Sequence, residues 1–571
     1  MLGALADLAL KRPWGLLAAN VAVAAAAVVA SLGAPSELGI GSTRLEGSGD
    51  SDLVVVLRGD VAADTRVFEV AEDVITAQVE TDPAVASVAP QRTGGSDDAG
   101  RVVLVGEFED VSQAERQEAV ERLEEGIDPG PLRVEIGGET AVLTEARRSL
   151  GGDLWRVELL VLPLVLLAMA AAIRPRLVGA PVLATVTAVA GTLALMRLAG
   201  TVVDVSLLGI AAGAVVGVVL GIELPAMVAD LRRDEAALSP EPRALHHAVG
   251  EGALRTALIA GAASLPALAL LLTPLDQAAS LALGCALAAW LAAASALTGT
   301  PALLRLLETE ATVETGVEAA DAEEAHELRW LRQLLGAVAE TPWRTVAALA
   351  IGLAPLVALG AAAADGLSTP LAATDLPRGS EARTATEAVA GAVNGAGSLF
   401  GDLPLVAAVA GALLGVGALA WTRRPGSLLA VPAGLLPAAG ALGACVLVFQ
   451  DGHLASALDV TARDALDTGA VAALVCALAA VGAARSAAAL AAIRAERRLG
   501  VAPAGAAEFA GAFTMPAVTA ATVAGAAMAG ALIAPDLYVA KEFGFAVAVG
   551  LVLDLLLVRV ALLAALARWS G

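Results

Sequence analysis

Long apolar runs dominate the chain, and they recur at a length that fits a bilayer. A membrane span needs roughly 20 predominantly apolar residues. Twelve segments meet or approach that length: about 13–33, 155–173, 177–198, 206–229, 253–273, 277–303, 343–364, 402–421, 426–449, 467–490, 509–533 and 541–567. Ala and Gly crowd them, which suits close helix approach in lipid. One stretch breaks this pattern. Leu53 to Leu57 is an apolar run of strand length, and Val67, Val70 and Val74 with Phe68, Ala71 and Ile75 predict a helical face. Val85 to Val88 and Val102 to Val105 predict two more strands. Ser112 with Glu115 forms a capping box that opens a helix through about Glu125, and Leu132 to Ile136 predicts a last strand. The order β-α-β-β-α-β predicts a ferredoxin-like split arrangement.

The predicted fold class is therefore a mainly α membrane protein with one α+β domain. A first transmembrane helix occupies 1–33, and an extracytoplasmic, porter-like α+β domain occupies 34–150. Helices two to six fill 151–304, a charged cytoplasmic linker 305–342, helix seven 343–364, a short extracytoplasmic stub 365–401, and helices eight to twelve 402–571. Arginine placement orients the spans. Lys11 and Arg12, Arg174 and Arg176, Arg232 and Arg233, Arg423 and Arg424, and Arg494, Arg497 and Arg498 all fall in loops of one parity. The positive-inside rule makes that side cytoplasmic, with both termini there, in a multi-pass protein of the cell membrane. The first span has the basic flank and short apolar core of a signal peptide. Its counterpart at Trp343 predicts that it is retained.

Composition narrows the function classes. With 57% apolar residues and a mean hydropathy of +0.75, an ordinary water-soluble domain is excluded. A net charge of −23 argues against nucleic acid as a partner, because phosphates need basic groups. Cys285, Cys445 and Cys476 all sit in apolar runs, and the four histidines show no ligand spacing, so no metal or cofactor is expected. His246 and His247 read as surface residues of a cytoplasmic amphipathic segment. Between Ser31 and Gly151 stand 25 acidic residues against 10 arginines and no lysine. Such a surface fits a halophilic prokaryote, where salt screens self-repulsion, and equally fits codon bias over an ordinary acidic surface.

The two halves of the chain match. Lys11-Arg12-Pro13-Trp14 opens the first span and Glu340-Thr341-Pro342-Trp343 the seventh; Arg174-Pro175 matches Arg424-Pro425, and Gly284 matches Gly544. This is a pair of parallel six-span repeats, a type common among transporters. The offset shrinks between the first two of these matches, so the second half has lost most of its outside domain.

One span, a large outside α/β domain and five more spans, duplicated, resembles the plan of the resistance–nodulation–division superfamily. The closest resemblance is to its mycobacterial-large-membrane-protein branch. The last span carries it best, from Lys541-Glu542-Phe543-Gly544 through Gly550 to Asp554, with Arg559 five positions on. Gly221-Ile222-Glu223-Leu224, trailed by Arg232 and Arg233, resembles a fourth-span Gly-x-Asp-Tyr motif in which Glu223 replaces the aspartate and Leu224 the tyrosine. The matching place in span ten reads Gly482-Ala483-Ala484-Arg485 and lacks the acid.

Four residues stand out as candidate sites. Glu223 lies inside an apolar helix, where a charged carboxylate costs ~2.5–3.5 kcal/mol if it faces lipid. It reads either as a proton-coupling acid or as a glutamate snorkelling to the cytoplasmic face. Arg485 sits at the equivalent of Leu224 and, by the resemblance, pairs with Glu223 across the two halves. It is either a fixed counter-charge or half of a static ion pair. The resemblance marks Asp554 and Arg559 as a secondary relay or a structural pair, although five positions is too far for an ideal helical i, i+4 contact. Asp204, Asp276, Asp451, Asp464, Asp467 and Asp536 read as solvated caps at outside span ends. Gly411, Gly415 and Gly417 lie within a span as packing residues, and no phosphate-binding loop accompanies them.

The expected function is a proton-coupled secondary transporter that exports lipids or other hydrophobic or amphiphilic compounds. Its partners would be membrane lipids and that apolar substrate, and a homo-oligomer would restore the missing outside surface. Two alternatives share the plan: a non-transporting scaffold or sterol-sensing-like protein, and a protein-export accessory factor. No nucleophile–base or metal constellation suggests an enzyme.

Overall fold

The computed structural model describes residues 11–31, 53–59, 65–91, 163, 165–170, 178–199, 205–238, 242–272, 278–311, 342–363 and 367–368, and, with short breaks, 101–145 and 430–559. Helix α1 (Pro13–Ser31) precedes an α+β unit made of β1 (Leu53–Arg58), α2 (Arg66–Glu80), β2 (Val85–Gln91), β3 (Arg101–Phe108), α3 (Gln113–Gly126) and β4 (Arg133–Gly137). The strands form one sheet in the order β2-β3-β1-β4, each neighbouring pair antiparallel. That is the split βαβ arrangement read from the sequence. Strand β1 is apolar from Leu53 to Leu57 because both of its faces are covered there. Leu53, Val55 and Leu57 pack with Phe68, Ile75, Val79, Val120 and Leu123 on the helix side. Val54, Val56 and Val103 form a second buried cluster on the other face.

Helix α2 corrects one sequence reading. Its buried side is Phe68, Glu72, Ile75 and Val79, whereas Val67, Val70 and Val74 are more than half exposed. Two adjacent apolar stripes compete for the sheet, and the one bearing the large ring and the isoleucine wins. Helix α3 is pinned to the turn before β2 by Arg122, whose Nε and Nη2 each donate to Asp82 at 3.0 Å. Partial burial pushes the Asp82 carboxyl up. The Arg122 hydrogen bonds, the Ala84 N–H and the guanidinium charge outweigh it, and the carboxyl lies below its usual range. The expected capping serine, Ser112, lies outside the described residues.

The helical body comprises α4 (Gly179–Ala199), α5 (Leu207–Leu238), α6 (Pro242–Leu270), α7 (Ala278–Ala311), α8 (Pro342–Ala363), α9 (Ala430–Cys445), α10 (Thr468–Arg498), α11 (Pro503–Ala531) and α12 (Tyr538–Leu553). Helices α9 and α12 each run on into a π-helical turn, Val446–Gln450 and Asp554–Arg559. A short parallel pair, β5 (Leu367–Ser368) with β6 (Leu466–Asp467), ties two loops together.

Among the described residues, seven helices are long and apolar enough to cross a membrane: α1, α4, α5, α6, α7, α10 and α11, while Leu435–Gln450 is a shorter apolar helix. The expected spans at 155–173 and 402–421 lie largely or wholly outside the described residues, as do most of the 305–342 linker and the 365–401 stub. The count of twelve and the repeat therefore rest on the sequence. Several helices outrun their apolar stretch: α5 continues to Leu238, and α6 already starts at Pro242, so the segment holding His246 and His247 is the first part of a spanning helix.

Burial sorts the helices by depth in the bundle. The most apolar stretch of α10 is 94% buried and that of α5 is 78%, against 6% for α1. Helices α5 and α10 pack on each other at the centre; α11 packs on α5, and α6 on α10. Small residues permit these approaches. A Cβ on Gly213 of α5 would stand 2.8 Å from the Gly284 carbonyl oxygen of α7, so only glycine fits there. Arg197, at the end of α4, donates to the Ala30 carbonyl at 3.3 Å. That bond sets the C-terminal end of α4 beside the C-terminal end of α1.

Candidate functional site

The central helices carry a chain of four buried charges. Arg485 of α10 approaches Glu223 Oε1 of α5 at 2.7 Å through both Nε and Nη2. Its Nη1 donates to Asp554 Oδ2 at 2.7 Å, and its Nη2 also reaches Thr522 Oγ1 of α11 at 3.0 Å and the Val518 carbonyl at 3.4 Å. Arg559 Nε then lies 3.2 Å from both oxygens of Asp554, and its Nη2 donates to the Gly482 carbonyl at 3.1 Å. Nη1 of Arg559 is buried and makes no hydrogen bond among the described residues. The order along the cluster is acid, base, acid, base, and with both acids ionised its net charge is zero.

Local geometry explains how these residues meet. Asp554 and Arg559, five positions apart, looked too distant for a helical pair. Asp554–Arg559 is a π-helical turn, in which residues five apart stack one above the other, and this brings the two together. Arg485 lies three residues after Gly482, whose carbonyl accepts from both Arg559 Nη2 and Ser486 Oγ, the latter at 2.7 Å. Thr522 was not singled out in the sequence, because an uncharged hydroxyl in an apolar helix is commonplace; only its place on a neighbour of α5 reveals it.

Dry burial of four charges is costly. Desolvation is several kcal/mol for each ion, and the mutual attraction offsets it only with good geometry and further hydrogen bonds. Arg485 meets that condition, with every guanidinium nitrogen engaged. The four side chains differ in exposure: Glu223 is 11% exposed, Arg485 1%, and Asp554 and Arg559 3% each. Glu223 is thus the least enclosed member of the cluster.

A second polar arrangement lies at the N-terminal end of α10. Asp467 caps that helix, its Oδ1 accepting from the Ala470 N–H at 2.7 Å, and its own N–H lies 3.2 Å from both carboxylate oxygens of Glu542. Asp467 is a cap, as read from the sequence, but a buried one. Asp451 is exposed, and Asp204, Asp276, Asp464 and Asp536 lie outside the described residues. Along α10, Asp467 and Arg485 are about 27 Å apart. Between those depths the thiols of Cys285 and Cys476 touch across α7 and α10 at 3.5 Å. Among the described residues, no group of three His, Cys, Asp or Glu side chains is placed to hold a metal ion.

No known family's sequence profile matches the chain, and no curated protein does. Solved structures do. The chain is similar to SecDF in its super-membrane-facing form, at 14% identity over 100% of this chain and 97% of that one, with a TM-score of 0.52. It is also similar to SecDF, a translocon-associated membrane protein from Thermus thermophilus, at 15% identity over 97% and 99%, with a TM-score of 0.50. At such identities the likeness is one of fold. This is a membrane protein whose fold is similar to that of SecDF. The finer resemblance to the mycobacterial-large-membrane-protein branch has no support from these neighbours.

Proposed function

We propose that this chain is a membrane motor coupled to a proton gradient that assists protein export, with Glu223 as its coupling acid. The observation that carries the reading is the buried Glu223–Arg485–Asp554–Arg559 cluster, set where the central helices meet in a fold shared end to end with a translocon-associated protein. Intramembrane ionisable residues are expensive and mark ion pathways more often than they mark packing. A proton on Glu223 removes one of the two anions that hold Arg485. Arg485 then turns wholly to Asp554 and Thr522, and the α5–α10 contact loosens while α10 and α12 tighten. The α+β domain is the part offered to a polypeptide.

Export of a lipid or other hydrophobic compound is the second reading. It is favoured by an apolar groove of about 540 Å³ on the domain, lined by Val67, Val70, Val74 and the 128–131 turn. One experiment separates the two. Membrane vesicles with an imposed pH gradient are assayed for translocation of a secretory precursor and for extraction of labelled lipid, with wild type and Glu223→Gln. Gradient-dependent precursor translocation, lost in Glu223→Gln at equal protein level, is the expected result. Gradient-dependent lipid release alone would establish the second reading, and no gradient response in either assay would leave a scaffold of this fold.

A further inference from the structure

Only three cysteines stand in the chain, and all are buried free thiols. A buried cysteine is by itself a small hydrophobe. Two of these meet, however: the Cys476 Sγ of α10 lies 3.5 Å from the Cys285 Sγ of α7 and 3.9 Å from the Leu281 carbonyl oxygen. A disulfide holds its sulfurs at about 2.0 Å, so the pair is about 1.5 Å from bonding distance. Ala288 and Ala289, one turn after Cys285, and Ala473 and Ala480, one turn either side of Cys476, are small and buried, and put no bulk between the helices. The pair also sits where a bond would restrain the bundle. Ser280 Oγ of α7 accepts from the Ser206 N–H, just ahead of α5, at 2.9 Å, and a Cβ on Gly284 would strike the Gly209 carbonyl oxygen of α5. Cys285 follows Gly284 directly, so it belongs to the part of α7 that is fixed to α5. Cys476 precedes Arg485 by about 14 Å along α10.

We infer that Cys285 and Cys476 form an oxidation site, at which a peroxide makes a disulfide that clamps α10 to the α5–α7 pair. Hydrogen peroxide suits the site, being uncharged and close to water in size, whereas burial shuts out large or charged oxidants. In the first step its O–O bond breaks, one thiol becomes a sulfenic acid, and one water leaves. The second thiol then attacks the sulfenic sulfur; the S–S bond forms, the S–O bond breaks, and the hydroxyl departs with the second thiol's proton as water. Two electrons and two protons have passed from the thiols to the peroxide. Burial slows this chemistry, so the pair answers sustained peroxide and not a brief pulse. The bond fixes α10 at a second depth, away from the Glu223–Arg485 contact. Its effect as a brake on transport rests on the α5–α10 motion proposed above; the bond and the clamp do not.

The test treats the full chain in membrane vesicles with hydrogen peroxide, denatures it, and labels free thiols with a maleimide carrying polyethylene glycol, which shifts the gel band once per thiol. Wild type should pass from three labels to one and Cys445→Ala from two to none, while Cys285→Ala and Cys476→Ala keep both of theirs. Peptide mass spectrometry should find Cys285 joined to Cys476. Thiol loss as fast in Cys476→Ala as in wild type, or absence of the joined peptide, would overturn the site. The oxidised Cys445→Ala protein should melt at a higher temperature than its reduced form, with no such rise when Cys476→Ala is added. A fall instead would show a bond that distorts the packing, and would rule out the clamp. With an imposed pH gradient, oxidation should slow precursor translocation by Cys445→Ala at least about tenfold and leave Cys476→Ala unaffected. Equal slowing in both, or in neither, would remove the brake. A chain that forms the bond and melts higher but shows no gradient response keeps the clamp and sinks the proposed function, so the two failures are distinguishable. If Cys476→Ala fails to fold, Cys476→Val, closer in volume, carries the same comparisons.

Discussion

Within the cluster, the four side chains carry unequal structural loads. Asp554 holds two buried guanidinium groups, so Asp554→Ala should cost about 3–5 kcal/mol of stability, read as a large drop in melting temperature in detergent. Glu223→Gln should cost far less, since Arg485 keeps Asp554, Thr522 and the Val518 carbonyl. If the two variants melt alike, Arg485 depends on Glu223 more than the geometry allows. Thr522→Val removes a single neutral acceptor and should cost about 1 kcal/mol. Glu223 and Arg485 were legible in the sequence because a lone charge in an apolar run stands out. The contact between Asp554 and Arg559 was not, because nothing in Asp-Leu-Leu-Leu-Val-Arg announces a π turn, and a spacing of five reads as opposite faces in ordinary helical geometry. Outside the spans, Asp82 offers a pH test. Its folded-state carboxyl lies below the ordinary value, so the Arg122 pair stabilises the domain above the unfolded carboxylate range, and that contribution fades as the pH falls through the folded value. Asp82→Asn should lower domain stability by at most about 1 kcal/mol at neutral pH, because Arg122 is half exposed. The difference from wild type should vanish in acid, as followed by thermal melts across pH.

Individual helices are held together by small residues more than by interlocking large ones. At Gly213 and Gly284 the two backbones meet, and a leucine at Gly213 has nowhere to go but into the facing carbonyl. Gly213→Leu should therefore separate α5 from α7 and shift the protein to aggregates on size exclusion. Gly261→Ala, at a site with open space around the missing Cβ, should leave the elution profile unchanged. The strands of the α+β domain were readable to within one to three residues, because short apolar runs of Val and Leu between polar turns have few other fates. The face of α2 was not readable. Val67, Val70 and Val74 follow the same helical spacing as the stripe that packs, and only the bulk of Phe68 and Ile75 against β1 decides between them. Helix ends were also hidden, since hydropathy finds the part of a helix in lipid and not the turns that project beyond it, as at Leu238 and Pro242.

For the molecule as a whole, the acidic surplus of the domain predicts salt dependence. Screening shortens from about 10 Å at 0.1 M to about 3 Å at 1 M ionic strength, so the melting temperature of the full chain should rise over that range if self-repulsion matters. A flat response would favour codon bias as the origin of the acidity. Far from that surface in sequence, at the centre of the helices, lie the four buried charges of Glu223, Arg485, Asp554 and Arg559. Those charges have an electrical consequence. With Glu223 ionised, the cluster is neutral overall and a transmembrane voltage exerts no net pull on it. Once Glu223 takes a proton, the cluster carries one positive charge, and a voltage of 100 mV does about 2.3 kcal/mol of work on a charge carried across the whole bilayer, and a proportionate share over part of it. The field therefore acts on the loaded state alone, so a motor built this way should respond to voltage even where no pH difference exists.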